Sequence, residues 1–282
     1  MRFGLKLELQ NLSSNVIPIN YQYELSSWIY KTIHAGNRNI ATWLHEHGYR
    51  LKDKTFRLFT FSHLQVRKTR ADHDRLIIMA GPVHLIVSFY PLEIIEPFIS
   101  GVFKDQSFMI GDRKSRAGFI ISSVEKLPEP VFNGTMRYRC LSPVHVAKRN
   151  AATPEIEYLN PGHPEYKDLL LINLINKKEA FEQDQEAPGL YDHFSGTGGT
   201  FAGNNKEAAN LHDTADAEFA LLNGYRKKGI TIKTGTAQET KIIGYMFDFM
   251  FKASEEYQKI GYYCGFGKAN SQGFGCVEVL NS

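Results

Sequence analysis

The segment Gly265-Phe-Gly-Lys-Ala-Asn-Ser-Gln-Gly-Phe-Gly275 constrains this chain more than any other feature: two Gly-Phe-Gly units separated by five small or polar residues. A dinucleotide-binding turn or a P-loop needs a strand before its glycines and a helix after them. Here the helical pattern comes first, starting at Ser254 with Glu255 and Glu256 in the favoured acidic first turn, and only a short strand, Cys276 to Leu280, follows. Both of those readings fail. Four glycines allow backbone amides to approach a phosphate, and Lys268, Asn270, Ser271 and Gln272 add a charge and hydrogen-bonding groups, so an RNA backbone is a natural ligand.

The rest of the chain supplies a fold to carry that loop. Phe3, Leu5, Leu7 and Leu9 alternate with Arg2, Lys6, Glu8 and Gln10, as in a strand with one buried face. Leu25, Trp28, Ile29 and Ile33 fall at helical spacing, and Ile40, Trp43 and Leu44 repeat it after a break at Ala35-Gly36-Asn37. Phe56–Ser62 and Val83–Tyr90 read as strands, Pro91 opens a helix carrying Leu92, Ile95, Ile99 and Val102, and Phe119–Val124 is a further strand. The order is β-α-β-β-α-β.

Lys126-Leu-Pro-Glu-Pro130 suits a linker, because its prolines disfavour both helix and central strand. After it the order recurs: strand 135–141, a helix over 165–180 with Leu169, Ile172 and Ile175 on one side, strand 229–234, and the alternating Tyr245, Phe247, Phe249 and Phe251. This predicts an α+β protein of two tandem ferredoxin-like domains, residues 1–125 and 131–282, the second interrupted by an insertion near 183–224.

Length and composition agree, since 282 residues provide two cores and 22% charged residues is ordinary globular usage. No run approaches the roughly 18 apolar residues of a membrane helix, so a cytoplasmic protein without membrane contact is expected. The three cysteines, Cys140, Cys264 and Cys276, form no CxxC pair, and His45-x-His47 is poor metal spacing on a helix. Neither a metal nor a cofactor is expected. The net charge is only +3, but cations cluster at Arg67/Lys68/Arg70, Arg113/Lys114/Arg116 and Arg226/Lys227/Lys228, each a phosphate-contact candidate or a solvated loop.

The Gly-hydrophobic-Gly, five residues, Gly-hydrophobic-Gly pattern at 265–275 resembles the glycine-rich signature of the RAMP superfamily of CRISPR-associated proteins. Tyr21–Ile33, Ala41-Thr-Trp-Leu-His-Glu46 and Arg57-Leu-Phe-Thr-Phe-Ser62 narrow the resemblance to the CRISPR repeat-processing endoribonucleases. The resemblance implies two RRM-like ferredoxin domains with precursor repeat RNA held across them and metal-independent cleavage. It places the catalytic histidine at His45, beside Tyr30, and a catalytic cation shortly afterwards, where Lys52, Lys54 and Arg57 all stand. Arg57, Arg226, Lys227, Lys228 and the loop residues Gly265, Gly267, Lys268, Asn270, Ser271, Gln272, Gly273 and Gly275 are the candidate RNA contacts. A histidine suits proton transfer near neutrality, with an unperturbed pKa of about 6.5. The competing expectation is a non-catalytic RNA-binding RAMP subunit of an effector complex, which needs the loop but not Tyr30 and His45. Further partners would be effector subunits, with the protein itself a monomer or homodimer.

Overall fold

The structure, a computed structural model, describes residues 1–149, 155–186 and 216–280. Its first half contains β1 (Arg2–Leu9), β2 (Val16–Pro18), α1 (Gln22–Gly36), α2 (Arg38–Glu46), β3 (Tyr49–Leu51), β4 (Lys54–Phe56), β5 (Phe59–Phe61), β6 (Gln65–Asp72), β7 (Arg75–Phe89), α3 (Ile95–Lys104), β8 (Ser107–Gly111) and β9 (Arg116–Lys126). The second half contains β10 (Thr135–Cys140), β11 (Ala147–Arg149), β12 (Ile156–Tyr158), α4 (Tyr166–Glu186), β13 (Glu218–Leu221), β14 (Arg226–Ile232), β15 (Thr240–Met246), β16 (Asp248–Lys252), α5 (Glu255–Cys264) and β17 (Val277–Val279).

β1 lies between β7 and β9, antiparallel to both, with Leu5 opposite Leu85 on one side and Val124 on the other. β5 pairs with the far side of β7, giving the order β5-β7-β1-β9. The second sheet runs β13-β16-β10-β17. Numbered within each half, both are 2-3-1-4, the strand order of a ferredoxin-like unit, so the fold is a tandem of two such units. β8 extends the first sheet, and the hairpin β14–β15 is added to the second unit.

Sequence patterning explains most of this. The break after α1 is set by Asn37, whose extended backbone stops the helix while its side chain accepts from the amides of Asn39 and Ile40 to start α2. α1 and α3 pack closely because Gly101 has no side chain: a Cβ there would lie 1.8 Å from the Thr32 carbonyl oxygen. The alternating aromatics 245–251 are all buried, but the run is split at Phe247, with β15 pairing β14 and β16 pairing β10.

Other expectations need correcting. Leu92 is 65% exposed and Phe98 fills the core from α3 instead, while on α4 Leu169 and Ile175 pack inward as expected but Ile172 is 46% exposed, and Leu170, Leu171 and Leu174 join the core. Ser254 stands at the N-cap of α5 without a side-chain capping bond. Within 183–224, residues up to Glu186 continue α4 and Glu218–Leu221 form β13, so both ends belong to the ferredoxin-like unit. The Gly/Thr-rich stretch 195–205 lies outside the described residues.

The two units share one continuous apolar core, from Phe3 to Val277. Arg2, read from its alternation as solvent-facing, is buried at their junction. Its guanidinium donates to the carbonyls of Val277 (2.6 Å) and Tyr262 (2.8 Å) and lies over the Tyr262 ring. The three cysteines are free and buried.

Candidate active site

The short connection at Asn37 folds α2 back on α1, which brings His45 in the last turn of α2 against Tyr30 of α1. Their rings meet edge to face at a centroid separation of 5.5 Å and an angle of 86°. Phe59 packs on Tyr30 at the same separation and holds the phenol from below. His45 is exposed and Tyr30 half-buried.

Arg57 joins this pair through the end of the helix. The last carbonyls of α2 have no partner within the helix, and the Arg57 guanidinium donates to those of His45 (2.7 Å) and His47 (3.1 Å), where its charge also complements the negative helix end. Gly48 permits this approach, since its backbone is left-handed (φ 60°) and a Cβ would lie 2.2 Å from the Arg57 Nη1. The Tyr30 hydroxyl faces Ser271 and Arg57. Burial raises its pKa, the Arg57 charge and the polar contacts with Ser271 and Arg57 oppose the rise, and the net shift is upward. Tyr30 therefore remains a hydroxyl, and a proton donor, at neutral pH.

The glycine-rich loop closes the other side of the site from the second unit. Phe266 and Phe274 are fully buried, and the Asn270 side-chain amide ties them by donating to both of their carbonyls, at 3.2 and 3.0 Å. Lys177, 3% exposed on α4, donates to the carbonyls of Gly265 (2.6 Å) and Gly267 (2.9 Å). Ser26 of α1 donates to the Ser271 carbonyl at 2.6 Å, and Thr60 of β5 to that of Phe274 at 2.9 Å.

These contacts correct the phosphate-cradle reading of the glycines. Gly265, Gly267, Gly273 and Gly275 all have positive φ and meet the chain's own atoms: a Cβ on Gly267 would lie 2.4 Å from the His145 carbonyl oxygen, and one on Gly273 3.0 Å from Gln22. They and Asn270 are buried, so the loop's surface consists of Lys268, Ala269, Ser271 and Gln272. Lys268 bends back, donating to the Ala147 carbonyl at 2.6 Å.

Tyr23, Ser26, Ser27, Tyr30, His45, Arg57, Ser271 and Gln272 line one cleft of about 280 Å³. A second, of about 270 Å³, adjoins it between α1 and α2, sharing Ser27, Tyr30 and His45 and adding Lys31 and His34. Lys52 and Lys54 line neither. They sit on the exposed β3–β4 hairpin, which packs against α4, and Lys52 occupies its left-handed turn. Of the three candidate cations only Arg57 is turned into the cleft. Lys54 instead neighbours Lys268, whose pKa is lowered by burial and then by the charges of Lys54 and Arg149.

Arg226, Lys227 and Lys228 are exposed at the start of β14, outside the cleft. Their hairpin reaches the first unit, where the Thr231 amide donates to Asn20. The charge of Lys228 adds to burial in lowering the pKa of His63 to about 4. Sequence reasoning missed Tyr23, Ser26 and Ser27, although spacings of seven, four and three residues from Tyr30 place them on its face of α1.

Two family models cover most of the chain: "CRISPR-associated protein Cas6, N-terminal" matches residues 16–125, and "CRISPR associated protein Cas6, C-terminal" matches 127–279. The chain belongs to the Cas6 family. A CRISPR-associated endoribonuclease Cas6 of Methanocaldococcus jannaschii is 29% identical over 277 residues, covering 97% of this chain and 91% of its own. The structure of a Cas6-related protein from Pyrococcus furiosus superposes with a TM-score of 0.75 at 24% identity, covering 100% of this chain and 99% of its own. A structure described as a RAMP protein binding different RNA substrates gives 0.72 at 23% identity, with full coverage of both chains. At these identities the two structures establish the shared Cas6 and RAMP fold.

Proposed function

We propose that this Cas6-family protein is an endoribonuclease that cuts CRISPR precursor RNA within its repeats, using the RNA's own 2'-hydroxyl as nucleophile. The observation carrying the reading is the edge-to-face pair of Tyr30 and His45 in one cleft with Arg57. The name of the M. jannaschii relative supports the activity and its substrate class.

In the proposed reaction the 2'-oxygen forms a bond to the adjacent phosphorus while the bond from phosphorus to the 5'-oxygen breaks. His45 takes the proton from the 2'-hydroxyl, Tyr30 offers its proton to the departing 5'-oxygen, and Arg57 stabilises charge on the non-bridging oxygens. The imidazole stands exposed at the cleft, and burial keeps the phenol protonated. The products are a 2',3'-cyclic phosphate and a 5'-hydroxyl, and no metal participates. The exposed Lys268 and the Arg226–Lys228 run supply sequence-independent attraction for the RNA backbone, and an RNA substrate places the work in the cytoplasm. We read residues 1–125 and 131–282 as the two domains across which the RNA lies.

The test is to incubate the protein in excess EDTA with end-labelled repeat RNA, beside the His45→Ala variant and a substrate with a 2'-deoxy nucleotide before the cut. A single cut by the wild type, lost with either change, is expected. Tight binding without a cut would identify a non-catalytic RNA-binding subunit, and cutting that survives both changes would remove His45 from the reaction.

A further inference from the structure

In-line attack requires the 2'-oxygen to stand opposite the departing 5'-oxygen across the phosphorus. Stacked helical RNA does not present that geometry, so a nucleotide beside the cut must be swung out and held. A cavity of about 410 Å³ opens directly beside the Tyr30–His45 cleft and shares Tyr23 and Ser27 with it. It lies between α1 and the edge strand β8.

The walls of this cavity suit a base. Trp28 and Phe108, stacked at 4.1 Å and 17°, form an apolar floor, and Tyr23 and Met109 are exposed at the rim. Lys31 lines both this cavity and the α1–α2 cleft, where its exposed ammonium can accompany a phosphate from one to the other. Glu24 lines the cavity half-buried, and one of its carboxylate oxygens, shut off from solvent, has no hydrogen-bond partner among the described residues. Asp105, the other acid in the lining, is already engaged with the amide and hydroxyl of Ser107.

We infer that this cavity is a nucleobase subsite, in which a base flanking the scissile phosphate is received over Trp28 and Phe108 and read by Glu24. A carboxylate accepts hydrogen bonds and donates none, so it selects bases with N–H groups on the Watson–Crick edge. Guanine, with N1–H beside its exocyclic amine, fits best. This inference rests on the proposed nuclease reading, and extends it from how the chain cuts to where.

The test is a set of repeat RNAs carrying each of the four bases at the nucleotides immediately before and after the cut, plus inosine, which lacks the exocyclic amine, in place of guanine. At one of the two positions the wild type should cleave the guanine substrate about 10-fold faster than the inosine substrate, the discrimination of one charge-assisted contact. In Glu24→Gln and Glu24→Ala that ratio should fall towards one. Because a folding defect lowers both rates together, the ratio reads base recognition and not stability. A wild-type ratio near one at both positions, or a preference unchanged by either substitution, would overturn the subsite. Failure of the wild type to cut any member of the set would instead overturn the nuclease reading.

Discussion

Replacing Lys177 with methionine sets two opposed effects against each other. Burial lowers the pKa of this ammonium from 10.5 to about 8, so holding it charged at pH 7 costs about 3 kcal/mol relative to the unfolded chain, at ~1.4 kcal/mol per pKa unit. Methionine relieves that cost but strips the Gly265 and Gly267 carbonyls of their donor, at roughly 1–3 kcal/mol for each orphaned group. The two largely offset each other, and the variant should lie within about 3 kcal/mol of the wild type at pH 7. Their pH dependences do not cancel. Between about pH 8 and 10.5 the unfolded lysine holds a proton that the folded one has released, so this group's penalty shrinks as pH rises through that window. From pH 7 to 9.5 the wild type should gain about 2 kcal/mol relative to Lys177→Met, the other groups being common to both. Urea unfolding of both proteins at the two pH values measures this directly. Parallel changes in the two proteins would refute the description of Lys177 as a buried cation clamped on the loop.

Tyr30→Phe should lower the single-turnover cleavage rate on the order of 10²-fold while leaving RNA affinity within about twofold; a matching loss of affinity would make Tyr30 a binding group. Changing Arg226, Lys227 and Lys228 together to alanine should flatten the slope of log affinity against log salt by up to about 2 if all three touch single-stranded phosphate, and an unchanged slope would remove them from the RNA path. Gly101→Ala should destabilise the chain by about 3 kcal/mol, because the new methyl meets the backbone of Thr32, and a thermal melt within a degree of wild type would contradict the close α1–α3 crossing.

The ferredoxin-like order was legible because the strands that define it carry clean alternation, as in Phe3-x-Leu5-x-Leu7 and Phe247-x-Phe249-x-Phe251. The phase of α4 was legible only in part. Leu169 and Ile175 do pack on the core, but Leu169 to Ile175 is apolar on several faces at once, and only packing turns Ile172 outward and brings in Leu170, Leu171 and Leu174. Arg2 and Lys177 were illegible for another reason: a cation satisfied by backbone carbonyls leaves no acidic partner in the sequence to betray its burial. At the site, the family resemblance singled out Tyr30 and His45, and the structure brings them together. Choosing among Lys52, Lys54 and Arg57 required the hairpin turn and the helix end that Arg57 caps, which are tertiary facts. The reverse error at the glycine loop has the same root, since permissive backbone serves a phosphate and a crowded interior equally well.

The hydrogen bond from Ser26 to Ser271 spans 245 positions. A ribosome therefore releases Tyr30, His45 and Arg57 long before it makes the turn that closes their cleft. Through most of translation the nascent chain carries the groups proposed for the reaction without the wall formed by the glycine-rich loop. On the proposed nuclease reading, cutting power should appear abruptly, when residues 265–275 leave the ribosome and dock, and not grow with chain length. Newly made protein would thus be silent towards neighbouring transcripts until both halves of the fold are present.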